Sequence, residues 1–204
     1  MLNQIQSLNL DLGDLVENAK RSLVVIHSGG RGVGAGSMWH PSGLIVTNAH
    51  VAVQGNLKVS LPCRTDLPAR VLAMDEEQDI AILDVDAEDL PTIELGDSRN
   101  LAAGQWVMAL GHPMGVQGAV SRGVVIGVGP DLPEAPGKGR DWIVASLRLR
   151  PGHSGGPLVD ARGRLVGINT IMAGANVGLA VPVHAAKKFL KESLGSARMP
   201  PGRI

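Results

Sequence analysis

The sequence has no tyrosine, one phenylalanine, three tryptophans and a single cysteine among its 204 residues. With so few rings, the core must be built from Val, Ile, Leu, Ala and Met. The lone thiol, Cys63, can form no internal disulfide and rules out a cysteine-based metal cluster. Charge of one sign is lacking too. Lys plus Arg and Asp plus Glu are both 19, so the formal charge is zero. That argues against a nucleic-acid binder or a polybasic membrane protein, since both draw on a positive excess. No run approaches about 18 apolar residues, which excludes a membrane-spanning helix from the reading. The start, MLNQIQSLNLDLGDL, has neither a basic opening nor a continuous apolar stretch and does not read as a signal peptide. Cytoplasmic residence is the direct expectation; an exported, processed form is the alternative.

What is present points to β structure. Glycine is 27 of 204 residues, nearly twice the usual share of about 7 %. Apolar residues are 44 % and charged residues 19 %, the balance of a chain with a packed core. Residues 8–20 read as an amphipathic helix, with Leu8, Leu12, Leu15, Val16 and Ala19 near one face. Short β runs follow: 23–28, 34–39, 44–50, 57–61, 69–74 and 80–85, then 106–111, 119–128, 142–149, 156–161, 164–170 and 177–182. Gly and Pro punctuate them, at Pro41-Ser42-Gly43 and Gly174-Ala175-Asn176 among others. Many short strands with turns between them predict an all-β sandwich or barrel. The strands divide six and six around an acidic, turn-rich stretch at 86–104. This suggests a first lobe at about 20–95 and a second at about 100–182. Residues 183–194 read as a closing helix with Gly195 as its stop.

Three motifs carry chemistry. In PGHSGGPL, Ser154 lies between glycines just ahead of a strand, which fits a nucleophile on a tight turn whose N–H groups converge on one small space. A glycine-rich turn with an incidental serine fits it equally. In VTNAHV, His50 ends an apolar strand; alone it reads as a core histidine. In QDIAIL, Asp79 leads into a buried strand, where an acid is costly without a partner; alone it reads as a turn residue. Together they are more informative. The order His50, Asp79, Ser154, spaced 29 (79 − 50) and 75 (154 − 79) residues apart, is the chain order of one type of catalytic triad. The first two fall in the first set of strands and the third in the second, so the site would lie between lobes.

These residues carry a resemblance. TNAHV, QDIAIL and PGHSGGPLVD resemble the histidine, aspartate and serine motifs of the HtrA (DegP-like) serine proteases, a branch of the chymotrypsin-type class. GAGSMWHPSGLIVTNAHV, LGDSRNLAAGQWVMALGHPMG, VSRGVVIGV, LVDARGRLVGINT and VGLAVPVHAAKKFL are similar as well, so the likeness runs from about residue 20 to 192. It implies one trypsin-like protease domain over residues 1–204: two six-stranded antiparallel β-barrels of chymotrypsin-like form with short N- and C-terminal helices. It implies endopeptidase action on unfolded or damaged polypeptides, with no metal or cofactor. Matched by position, His50 is general base and acid, Asp79 orients its ring, and Ser154 is the nucleophile. Gly152 and Ser154 supply oxyanion-hole N–H groups, with that of His153 nearby. The alternative is a catalytically silent relative that binds polypeptide.

Some positions depart from the family pattern. His153 stands where asparagine is usual; its ring is expected to face solvent. It is not Asp, which predicts that no zymogen cleavage is needed. Arg148, six before the nucleophile, lies where relatives approach the S1 pocket and is expected to point outward. Leu149, Ala173 and Gly174 are assigned to the same pocket, and the small apolar run 171–178 suits a small aliphatic P1 residue. After the closing helix the chain leaves no room for the PDZ domain that often follows in the family. Relatives trimerise through N-terminal aromatics; here none precedes Trp39, so the sequence lends a homotrimer no support. The Gly32–Gly36 run fails as a nucleotide loop, because Ser37 takes the third glycine position and no helix follows. His112, in LGHPMG, has no ligand partner at metal spacing and reads as a turn residue; His27, His40 and His184 read as structural. Cys63 has only Arg64 beside it to raise its reactivity.

Overall fold

The computed structural model describes residues 2–29, 32–53, 55–62, 64–136 and 139–196; Cys63 lies outside them. Helix α1 (Leu2–Lys20) is followed by β1 (Leu23–Ser28), β2 (Gly32–His40), β3 (Leu44–Thr47), β4 (Lys58–Leu61), β5 (Arg64–Asp75) and β6 (Ile80–Val85). After a long irregular connection come β7 (Trp106–Gly111), β8 (Ala119–Gly129), β9 (Trp142–Ser146), β10 (Pro157–Asp160), β11 (Leu165–Gly174), β12 (Val177–Pro182) and helix α2 (Val183–Ser196). The strands close into two antiparallel barrels, ordered β1-β2-β3-β6-β5-β4 and β10-β11-β12-β9-β8-β7. Read from β7, the second barrel has the order of the first. Closure leaves neither sheet an open edge. The double barrel expected from the family resemblance is the fold observed.

Each barrel has its own aliphatic filling. Ile26, Met38, Ile45, Val59 and Leu83 pack inside the first. Val107, Ala109, Val125, Ile143, Leu158 and Val166 pack inside the second. Two further clusters join the barrels. Val46, Ile80 and Ile82 of the first meet Trp142, Val144, Ile168 and Val181 of the second, and Ala186 and Leu190 of α2 cover them. Ala35 and Leu23 meet Met108, Leu110, Val159 and Leu165, with Ala19, Val16 and Leu12 of α1 alongside. Burial of this continuous apolar contact, at roughly 25 cal/mol per Å2, holds the lobes as one body. No helix among the described residues is long and apolar enough to cross a membrane.

Several local readings need correction. Helix α1 begins at Leu2 rather than residue 8, and α2 runs through Gly195 to Ser196 instead of stopping at that glycine. Strand β3 ends at Thr47. Asn48, Ala49 and His50 leave the sheet, because the Asn48 side chain bonds across to the Asp79 carbonyl rather than letting the ladder continue. Strand β9 stops at Ser146, where the Leu147 N–H turns back onto the Ala145 carbonyl at 2.9 Å.

Candidate active site

The first barrel supplies an imidazole and a carboxylate already engaged. His50 Nδ1 is 3.0 Å from both Oδ1 and Oδ2 of Asp79, and the His50 backbone N–H donates to Oδ1 at 3.1 Å. A carboxylate can only accept, so Nδ1 carries a proton, and in the neutral ring that leaves the lone pair on Nε2. Asp79 reaches this position from a tight turn in which its own φ is +51°. Few residue types tolerate that left-handed conformation, and a short polar one such as Asp is among them. Gln78 N–H donates to Asp75 Oδ1 at 2.8 Å, closing the turn from within. Asn48, fully buried, donates to the Asp79 carbonyl at 2.9 Å and to Thr170 Oγ1 at 3.1 Å. That second bond crosses to the other barrel.

The second barrel supplies a hydroxyl on a constrained turn. Pro151 and Gly152 occupy the central positions of a four-residue turn closed by His153 N–H to Arg150 O at 2.9 Å, and Gly152 has φ +103°. Proline followed by a positive-φ glycine makes this a type II turn. A side chain at Gly152 would collide with the His112 carbonyl and Pro113. At Gly155 and Gly156, Cβ atoms would run into Ala35 of the first barrel. These glycines allow the backbones to touch, and the Ala35 N–H to Ser154 O bond at 2.8 Å ties the serine to the opposite lobe. Asn169 locks the loop beneath, donating to the Leu110 and Pro157 carbonyls. The Ser154 hydroxyl itself donates to the Thr170 carbonyl at 2.9 Å, not to His50. Thr170 is the residue whose Oγ1 meets Asn48, so a short chain of bonds links the serine to the acid turn. Among the described residues, the N–H groups of Gly152 and Ser154 have no partner.

Comparison with known proteins identifies the lineage. The trypsin-like peptidase domain matches residues 34–168. The chain belongs to the trypsin-like peptidase family. Among relatives, it is 35 % identical over 175 residues to the serine protease HhoB of Synechocystis, covering 83 % of this chain and 42 % of that protein. It is 38 % identical over 167 residues to a periplasmic DegP-like serine endoprotease of Halomonas elongata, covering 76 % of this chain and 34 % of that protein. A solved HtrA-type protease, AlgW with a tripeptide, superposes with a TM-score of 0.81 at 28 % identity, over 88 % of this chain and 62 % of the other. The chain thus spans about two fifths or less of these curated relatives' length. The HtrA likeness of the motifs is matched by these relatives.

Within this trypsin-like peptidase domain, two expectations about His153 are corrected. Its side chain is only 3 % exposed, not in solvent. Its Nδ1 lies 3.1 Å from the Arg150 backbone nitrogen and 3.2 Å from the Arg150 carbonyl oxygen. Its own backbone N–H is donated to Arg150 O and so leaves the set of oxyanion donors. His112, read as a turn residue, is likewise buried, at the start of the short 3-10 turn Pro113–Gly115 that abuts Gly152. Burial pushes both rings below the usual histidine pKa. Of the residues assigned to S1, Arg148, Ala173 and Gly174 are exposed and Leu149 is buried. The Leu149 N–H points to the Met172 sulfur at 3.1 Å, and Gly178 leaves space that Leu147 and Leu149 occupy. Sequence reasoning did not single out Asn48, Asn169 or Thr170. The one available signal was polar residues inside apolar strands, in VTNAH and GINT.

Proposed function

We propose that this domain is a serine endopeptidase acting through His50, Asp79 and Ser154 by way of an acyl-enzyme. The observation that supports it best is the His50–Asp79 pair, joined through Nδ1, together with a serine on a turn whose Gly152 and Ser154 N–H groups are unpartnered. In this reading the Ser154 hydroxyl leaves the Thr170 carbonyl and bonds to His50 Nε2. Catalytic hydrogen bonds commonly tighten only once substrate is bound. The serine oxygen attacks the scissile carbonyl while its proton passes to Nε2. The Asp79 carboxylate stabilises the imidazolium, and the two free N–H groups receive the oxyanion. The imidazolium then gives its proton to the departing amine. Water, activated by the same ring, hydrolyses the ester and restores Ser154.

The substrate reading is unfolded or damaged polypeptide, following the HtrA relationship. At P1 the small apolar run 171–178 favours a small aliphatic side chain. The DegP-like relatives are named periplasmic; the same compartment for this chain is tested by fractionating the producing cells. The silent-relative alternative draws on the Ser154 bond to Thr170. A fluorophosphonate probe together with casein digestion separates the two. Stoichiometric labelling and cleavage, both lost in Ser154→Ala, are expected. A folded sample that neither labels nor digests casein refutes the peptidase reading.

A further inference from the structure

We propose that Arg140 is a positioning residue for Asp79, gripping from the second barrel the turn that presents this carboxylate to His50. The proposal rests on the peptidase reading above. The Asp79 turn needs such a hold. Its main-chain closure, Asp79 N–H to Glu76 O, is long at 3.3 Å, and Asp79 sits at positive φ. Arg140 lies just ahead of β9. Its Nη1 donates to the Glu77 carbonyl at 2.8 Å, at the crest of the turn. The guanidinium lies 3.8 Å over the ring of Trp142. Trp142 is 2 % exposed and is itself anchored by its indole N–H on the Pro136 carbonyl at 3.2 Å. A planar cation on a fixed ring arrives with little freedom left to lose.

The base of this arm is tied as well. Next to Arg140, Asp141 is 3.0 Å from His184 Nε2, and His184 Nδ1 is 2.8 Å from Ser98 Oγ. Arg140 is therefore held on one side by the start of α2 while it reaches the acid turn on the other. Burial disfavours its charge, and carboxylates oppose that effect, Asp79 most strongly, then Asp75 and Glu77. So the arginine both restrains the turn and places a cation in the field of the His50–Asp79 pair. A cation there opposes uptake of a further proton. The sequence hides this link, since Arg140 and Glu77 are 63 residues apart.

The test measures kcat and KM across pH for the wild type, Arg140→Gln and Arg140→Lys, with thermal midpoints to confirm folding. For Arg140→Gln, kcat is expected to fall about tenfold at nearly constant KM. The acidic limb of its kcat/KM profile moves to higher pH, because the opposing charge is gone. Lysine keeps the charge but cannot both stack and reach, so Arg140→Lys restores the acidic limb and only part of kcat. Should Arg140→Gln fail to fold, Arg140→Lys carries the test: reduced kcat with an unmoved limb supports the proposal, and wild-type kcat overturns it. An unchanged kcat and profile in Arg140→Gln overturns it, as does a lower thermal midpoint with no movement of the limb. A wild type that digests nothing brings down the peptidase reading and this inference together. An active wild type beside an indifferent Arg140→Gln brings down this inference alone.

Discussion

The two barrels have one strand order but hold their shares of the site in opposite ways. The first delivers His50 and Asp79 joined, with Asn48 on the Asp79 carbonyl and Asp75 on the turn. The second delivers Ser154 with its hydroxyl lodged on Thr170 and leaves two N–H groups without acceptors. The contrast matches the tasks proposed for each half. A base must hold one tautomer and one orientation throughout, and bonds to a carboxylate secure both. Donors meant for a charge that appears only in the transition state are most useful when preset and unoccupied.

The sharpest challenge to this division is Ser154→Ala. It is expected to lower kcat by roughly 10^4-fold or more, while stability measured by thermal melting stays almost unchanged. Asp79→Asn attacks the preset half and is expected to cost a similar order, about 10^4-fold, by upsetting the imidazole tautomer. Asparagine also accepts positive φ, so the turn should survive, and a melt separates lost chemistry from lost structure. A near-normal rate for either variant removes that residue from the mechanism.

Gly152→Ala tests the poised half. A methyl group there meets the His112 carbonyl at a φ of +103°. A loss on the order of 10^2–10^3-fold in kcat is expected, as for removal of one oxyanion donor, with a lowered melting midpoint. Gly13→Ala, in α1, where added bulk meets nothing within 4 Å, should change kcat little.

The smallest expected effect is on acid stability. Burial lowers the pKa of His112 and His153 in the folded state. Above the ordinary histidine value of about 6.5, both rings are neutral whether the chain is folded or not, and no penalty arises. As pH falls below that value the unfolded chain takes up protons that the buried rings resist, so stability declines toward acid. Denaturation midpoints at neutral and mildly acid pH should show the decline, and His153→Asn should make it shallower. An equally steep decline in that variant excludes His153 as a source.

Much of the frame is legible in the chain. Apolar runs broken by Gly and Pro marked twelve strands in two groups of six, and the barrels close with those strands. The proline and glycine at 151 and 152 already specify a type II turn, since φ at each is decided locally. Other features were not legible. His153 resembles a surface residue in sequence, yet it is buried, because the backbone at Gly111 packs directly against it. Met172 meets Leu149 only once β11 has paired with β12 and curled toward the loop after β9.

Local sequence alone therefore determined the strands, the turns and the three motif residues, because hydrophobic period and backbone preference act over a few neighbours. Tertiary structure decided the rest: that one strand order is used twice, that Asn48 reaches Thr170 across 122 residues, that Arg140 braces the turn of Asp79, and that Ser154 rests on a carbonyl. Those contacts join residues brought together by barrel closure and by the apolar seam between barrels, and no spacing along the chain encodes where two curved surfaces will meet.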